Sequence, residues 1–401
     1  MIKIMRSVHQ SWGVVTLCAG VVVGCILGMV LRINYFANPW WLFAVVGIFG
    51  LMYLKPKYLT VGVCLIAGMV LAFFRISAVL SSDTEVKLGV DVGTEQLVEG
   101  ARDWFSERID SALPEREAKL GMSYLLGMKS GIDKKLSENL RAVGLTHIVV
   151  ASGAHLSILV EIARKIFGRI SRFSGLLFSV LFVLFFMCMV GWTPSILRAG
   201  VMAILTLLAW RTGRKIAPWR LILIVMAFTL VLNPLFLTDI GWLLSFASYA
   251  GIMLIGPGLT RFFYGEKKPG SVASVVLTTV AATLMTLPIT LYYFGQVSLI
   301  SVVANLLILP TLPYAMGLVF LAGVFAGVPG LSVVVGFLAE KLLDFHILVV
   351  EWFGSMEQFL IKIEPYEPRV FLLYLVVLVP MGWKLVKRII DKHKYLNYNY
   401  R

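Results

Sequence analysis

Residues Ser11–Leu31 read SWGVVTLCAGVVVGCILGMVL, an unbroken stretch without a charged side chain. About 20 mostly apolar residues in a helix cover the hydrocarbon core of a bilayer, so this stretch predicts a membrane-spanning helix. Lys3 and Arg6 precede it in the manner of a signal peptide. The run is too long for one, lacks an A-x-A site, and is followed at once by apolar runs at 38–54 and 58–80. Gly20, Gly24 and Gly28 recur every four residues, the small-xxx-small spacing that lets two helix backbones approach closely.

The whole chain extends this reading. Of its 401 residues 59% are hydrophobic and 14% charged, and the mean hydropathy is +0.87. A soluble domain carries about 25% charged residues, so there is too little polar side chain to coat a soluble body. A cytosolic enzyme, a disulfide-built secreted domain and a disordered binder are excluded. Apolar runs return at 147–166, 173–191, 195–210, 219–236, 241–256, 271–294, 299–326, 331–353 and 369–383. The expected fold is an all-α polytopic integral membrane protein with roughly ten to twelve spans. It includes Pro/Gly-broken or re-entrant segments and interfacial amphipathic helices. Pro310 and Pro313 interrupt 299–326, and 331–353 contains Glu340, Lys341, Asp344, His346 and Glu351. Glu340, Asp344 and Glu351 share a helical face, which suits a helix resting on the outer interface.

Residues 81–146 differ in composition: twelve Asp/Glu against nine Lys/Arg give a net −3, leaving +17 of the total +14 on the rest. Trp104, Phe105, Ile109 and Leu113, then Leu120, Tyr124 and Leu125, recur at helical spacing, so short amphipathic helices are expected. Basic clusters follow alternate apolar runs: Arg164–Arg172, Arg211–Arg220, Arg261–Lys268 and Lys384–Lys394. By the positive-inside rule both termini lie inside and the acidic segment outside. Cys18, Cys25, Cys64 and Cys188 sit in apolar runs and form no CxxC pair. The histidines form no HxxxH or HExxH cluster, so no metal or other cofactor is expected. There is no GxxxxGK[ST] loop; energy from nucleotide hydrolysis must come from another chain.

Four stretches carry polar chemistry into apolar surroundings. In Leu125–Val160, His147, Ser152 and His155 open an apolar helix. Ionisable groups there are costly and usually face protein or a water-filled cavity, although histidine also snorkels to headgroups. Ser152 with a histidine could serve an intramembrane hydrolase, but His346, among carboxylates, makes a poor base. In Gly191–Gly200, Pro194 suits a helix start, and Arg198 falls one turn inside. Arg198 either snorkels outward or faces a wet path and an anionic partner. The third stretch is Asp239–Gly251. In the fourth, Leu287–Pro310, Pro288, Gly295, Pro310 and Pro313 break the helical pattern on both sides of Asn305. Such breaks are tolerated at membrane depth only where buried in protein or lining a cavity, and they point to translocation sites. Tyr292, Tyr293 and Phe294 suit either base stacking or an interfacial belt.

In this order the four stretches resemble the competence domain of the ComEC family, the DNA-uptake channel of naturally transformable bacteria. The residues that carry the resemblance are Gly144-Leu145-Thr146-His147 with Ser152-Gly153-Ala154-His155; Pro194-Ser195 with Arg198-Ala199; Gly241 with Leu244-Ser245-Phe246; and Phe294-Gly295, Ser298, Asn305-Leu306-Leu307 and Pro310. Trp242 and Leu243 replace the family's usual Phe and Gln. The resemblance divides the chain into N-terminal membrane helices (1–80, three spans), a short external segment (81–146), a ComEC-like membrane domain (147–383, motifs beginning near 120) and a basic cytoplasmic tail (384–401). The external OB-like domain and the metallo-β-lactamase-like domain of many family members are not expected here.

The resemblance implies an inner-membrane channel for single-stranded DNA, not an enzyme, with His147, Ser152, His155, Arg198 and Asn305 along the path. Its implied partners are single-stranded DNA, a membrane DNA receptor, a cytoplasmic helicase-type ATPase and a separate nuclease, all around a chain embedded in the lipid bilayer. A secondary transporter or flippase for an anionic solute or lipid-linked substrate would use the same broken helices and buried arginine.

Overall fold

The computed structural model describes residues 10–30, 59–81, 92–128, 131–149, 155–156, 158–160, 172–191, 193–213, 217–265 and 267–364. The runs expected at 38–54 and 369–383 and the tail 384–401 lie outside them. The regular structure is almost wholly helical, as the apolar periodicity requires. Trp12–Met29, Ile240–Tyr264 and Ser271–Phe294 are long and apolar enough to cross a membrane, and Ser301–Ile308 with Leu312–Phe325 forms a further, broken span bent by 49°. Shorter apolar helices cover Thr60–Ile76, Gly175–Val190, Pro194–Ala209 and Pro218–Leu232. The chain is an all-α polytopic membrane protein. Its residues form two compact units, 1–107 with 151–243 and 108–150 with 244–401.

In the first unit, helix α1 (Gln10–Val30) packs along α2 (Leu59–Ser81). The glycine spacing explains the closeness. A Cβ on Gly20 would fall inside the backbone of Leu65, and one on Gly24 would lie 2.9 Å from the Met69 Cα and 2.8 Å from the Ala72 Cβ. Without a hydrophobic drive between helices in lipid, such close packing supplies the attraction. After α3 (Val92–Ala112) the chain enters the second unit; it returns with α7 (Arg172–Val190), α8 (Pro194–Arg211) and α9 (Pro218–Leu232). Pro194 is the first residue of α8, as its missing N–H allows. Helix α9 ends against Arg75, whose guanidinium donates to the last carbonyls, Val231 O at 2.7 Å and Leu232 O at 2.8 Å. A 3-10 turn at Pro234–Thr238 leads to Asp239, whose carboxylate accepts from Trp242 N at 2.7 Å and starts α10 (Ile240–Leu254). The indole of Trp242 is buried and donates to Thr229 Oγ1 at 3.0 Å, a side-chain hydrogen bond within the core.

The second unit takes in α4 (Glu115–Leu126), α5 (Lys134–Ala142) and the single turn α6 (Thr146–Val149). The same unit holds α11 (Gly256–Tyr264), α12 (Ser271–Phe294), α13 (Ser301–Ile308), α14 (Leu312–Phe325) and α15 (Leu331–Gly354). The described part of the acidic segment, from Val92 on, is mostly helical, as its periodicity indicates. From residue 108 onward it is part of this unit's packing: α4 lies on α14 and α15, and α5 on α15. Arg108 donates to Gly323 O at 2.8 Å and Val324 O at 3.1 Å, closing the end of α14 as Arg75 closes α9. Helix α15 buries Val335, Ala339, Leu343, Ile347 and Val350 and exposes Val334, Phe337, Leu348 and Trp352 on the opposite face. Its charges are paired: Lys341 lies 3.0 Å from Asp344 and 2.6 Å from Glu340, and Glu351 pairs with Arg116.

The glycine contact generates a direct test. Gly24→Val forces the α1 and α2 backbones apart and costs more than about 2 kcal/mol, at the upper end for an overpacked interior. Val23→Ala, at an exposed position on the same helix, is tolerated. Thermal unfolding and protein abundance of the two variants read the difference.

Candidate functional site

The break in the second unit is built in four steps. Helix α12 runs to Phe294 straight through Pro288, so that proline does not interrupt it as the sequence pattern suggests; one missing donor is tolerated in a long apolar helix. Gly295 then ends α12 with φ 64°, a left-handed conformation suited to glycine. Strand β1 (Gln296–Ser298) follows, paired antiparallel with β2 (Leu360–Lys362), and Gly295 O accepts from Ile363 N at 2.7 Å. This pairing gives the backbone a partner where helical bonding stops. After α13, Pro310 lies in the turn that bends the chain and Pro313 sits in the first turn of α14.

Helix α13 turns Ser301, Ala304, Asn305 and Ile308 inward, while Val303 and Leu307 are exposed. Gly144 lies against its start: with φ 77°, a Cβ there would stand 3.2 Å from the Ser301 Cβ and 3.9 Å from that of Ser298. Two sequence stretches more than 150 residues apart therefore meet. His147 donates from Nδ1 to Gly144 O at 3.1 Å, which leaves Nε2 of the neutral ring as the acceptor. Asn305 is 5% exposed, and its buried Oδ1 has no hydrogen-bond partner among the described residues. A buried amide oxygen that stays unpaired costs roughly 1–3 kcal/mol.

Behind the break lies a polar relay that sequence reasoning missed. Thr311 donates to Ile308 O at 2.9 Å and stands 2.8 Å from His346 Nε2; the other ring nitrogen is 3.3 Å from the Tyr124 hydroxyl. With the Thr311 proton spent on Ile308, Nε2–H donates to Thr311 and Nδ1 accepts from Tyr124. His346 is fully buried, so its sequence neighbourhood misleads: α15 carries Glu340, Asp344 and Glu351 on a more exposed side and turns the imidazole away from them. No periodicity in the sequence links Tyr124, Thr311 and His346.

The remaining path candidates belong to the first unit. Arg198 is 8% exposed, with Nη1 at 3.3 Å from the Met202 sulfur one turn on, so it is turned into protein and does not snorkel. His155 is fully buried in a helical segment. Ser152 lies outside the described residues.

Burial holds the His346 imidazole well below its ordinary value of 6.5, at about 4. Between these values the unfolded chain binds a proton that the folded chain refuses, so stability falls as pH drops from about 6.5 to about 4. Above pH 6.5 this contribution is complete and flat. The melting temperature of purified protein is therefore expected to fall between pH 7 and pH 5, and His346→Gln to flatten that fall. An unchanged pH profile in His346→Gln contradicts the relay.

The competence protein family model matches residues 124–388. ComE operon protein 3 of Bacillus subtilis (strain 168) is 25% identical over 292 residues, which cover 70% of this chain and 36% of that protein. The chain thus spans about a third of the length of this curated relative. No solved structure matches it. The match begins at Tyr124, in the relay, and takes in the Gly144 contact, Arg198 and the whole helix break; the chain belongs to the ComEC family of competence proteins.

Proposed function

We propose that the chain forms the path by which single-stranded DNA crosses the bacterial cytoplasmic membrane during natural transformation, with both of its termini on the cytoplasmic side. Membership of the competence family supports the process. The observation that supports the path is the broken span α13–α14 and its approach, where Ser298 and Ser301 meet Gly144 and Asn305 is buried one turn further along the inner face of α13. A core about 30 Å thick holds roughly five to nine phosphates of a strand at once. A few fixed donors suit that cargo better than many, because binding must be weak enough to release. The candidates that the sequence offers, His147, Ser152, His155, Arg198 and Asn305, are accordingly few. In this reading the chain moves the strand and cleaves no bond. A membrane DNA receptor delivers the strand, a cytoplasmic helicase-type ATPase draws it in, and a separate nuclease removes its complement.

An in-frame deletion assayed for transformation by linear DNA tests the function; unchanged transformation overturns it. In the complemented strain, Arg198→Ala lowers transformation by roughly ten- to hundredfold, the equivalent of one charge-assisted hydrogen bond of about 1.5–3 kcal/mol. Arg198→Lys keeps part of it, since lysine restores the charge without the planar fork. Full activity of Arg198→Ala at matched protein level removes Arg198 from the path. Ser152→Ala leaves transformation nearly intact; its complete loss would mean nucleophilic catalysis instead.

A further inference from the structure

Helices α10, α11 and α12 border an open cleft of about 620 Å3, and none of its lining residues is among those proposed for the DNA path. Arg261 is the one charged side chain lining it. Thr260 and Ser274 line it too, and neither hydroxyl is engaged in a hydrogen bond among the described residues. Thr278 is spent on Ser274 O at 2.6 Å. The guanidinium of Arg261 has no carboxylate partner among the described residues. One turn before Ser274, the first turn of α12 follows Gly270, which supplies no capping side chain. Its free amides and dipole favour an anion.

The other wall of the cleft is apolar, with Ile252 and Leu277. On the same α11, Phe262 is 82% and Phe263 64% exposed, their rings edge to face at 5.0 Å. Helices α11 and α12 belong to stretches able to cross a membrane, Ile240–Tyr264 and Ser271–Phe294, and the cleft lies toward the end of the first and the start of the second. Lys267 and Lys268 are exposed in the short connection between them. A cation with two open hydroxyls beside apolar wall and exposed rings matches a phosphodiester carrying acyl chains. A DNA strand would need a series of cations and an aromatic platform for its bases, and the lining offers one arginine and no aromatic ring.

We propose that this cleft binds the headgroup of an anionic phospholipid, with Arg261, Thr260 and Ser274 on the phosphate and Phe262 and Phe263 in the acyl boundary. A lipid with a net negative charge is favoured over a zwitterionic one, whose own cation competes with Arg261. Gly256 also lines the cleft, and a Cβ there meets only the Ala281 Cβ at 4.0 Å. A larger side chain at 256 therefore fills the cleft without a backbone clash.

The full chain, purified in detergent, is titrated with dihexanoyl phosphatidylglycerol, dihexanoyl phosphatidylcholine, inorganic phosphate and a dT20 oligonucleotide, with binding read by native mass spectrometry. Phosphatidylglycerol is expected to bind at least about tenfold more tightly than phosphatidylcholine or phosphate. Arg261→Gln and Gly256→Leu are each expected to weaken it about tenfold, the scale of one charge-assisted contact. Lys267→Gln, outside the cleft lining, leaves it within about twofold, as a screened surface charge should. Undiminished phosphatidylglycerol binding in Arg261→Gln overturns the site. Equal binding of inorganic phosphate, or oligonucleotide binding with the same dependence on Arg261, overturns its assignment to lipid.

Discussion

A backbone that stops being helical inside an apolar layer leaves amides and carbonyls that only the protein can satisfy. The second unit is organised around meeting that demand at the α12–α14 break. Strand β2 takes the bonds of β1, Thr311 takes the Ile308 carbonyl, and His346 and Tyr124 extend the chain of donors into α15 and α4. At the far end of α14, Arg108 donates to two further carbonyls. The amphipathic helices outside the apolar spans thus serve as the frame that holds an interrupted span in one shape.

The same device recurs in the first unit, where Arg75 closes α9. The rigid fork of arginine suits this use, because it reaches two successive carbonyls at once and stays charged. With the break held, a short polar edge becomes affordable. Ser298 and Ser301 face Gly144, and no side chain at 144 stands between them and the turn before α6. An alanine there would need both a left-handed backbone and room beside the Ser301 side chain.

Much of this was legible in the residue order. Glycines at four-residue spacing marked α1 for close helix packing without naming its partner, Pro194 marked the start of α8, and Gly295, Pro310 and Pro313 bracketed the break, because each acts through local backbone geometry. Pro288 did not, since a lone proline weakens a helix without ending it in apolar surroundings. The arginine forks were not legible: Arg75 and Arg108 find their carbonyls 156 and 215 residues away. His346 shows the limit of neighbourhood reading, for a helix can carry carboxylates on one side and bury a neutral imidazole on the other. The three-residue pairing of β1 with β2 is too short for any alternation to announce.

The central claim is that the inner face of α13, not its exposed face, meets the strand in transit. Ser301→Cys and Val303→Cys place thiols on those two faces, Ser301 at 7% and Val303 at 45% exposure. A single strand carrying thiol-reactive groups along its backbone, arrested in transit by a bulky trailing end, reports which face it passes. The account predicts a covalent DNA adduct at position 301 and none at 303. Adducts at both positions alike, or at 303 alone, would contradict it.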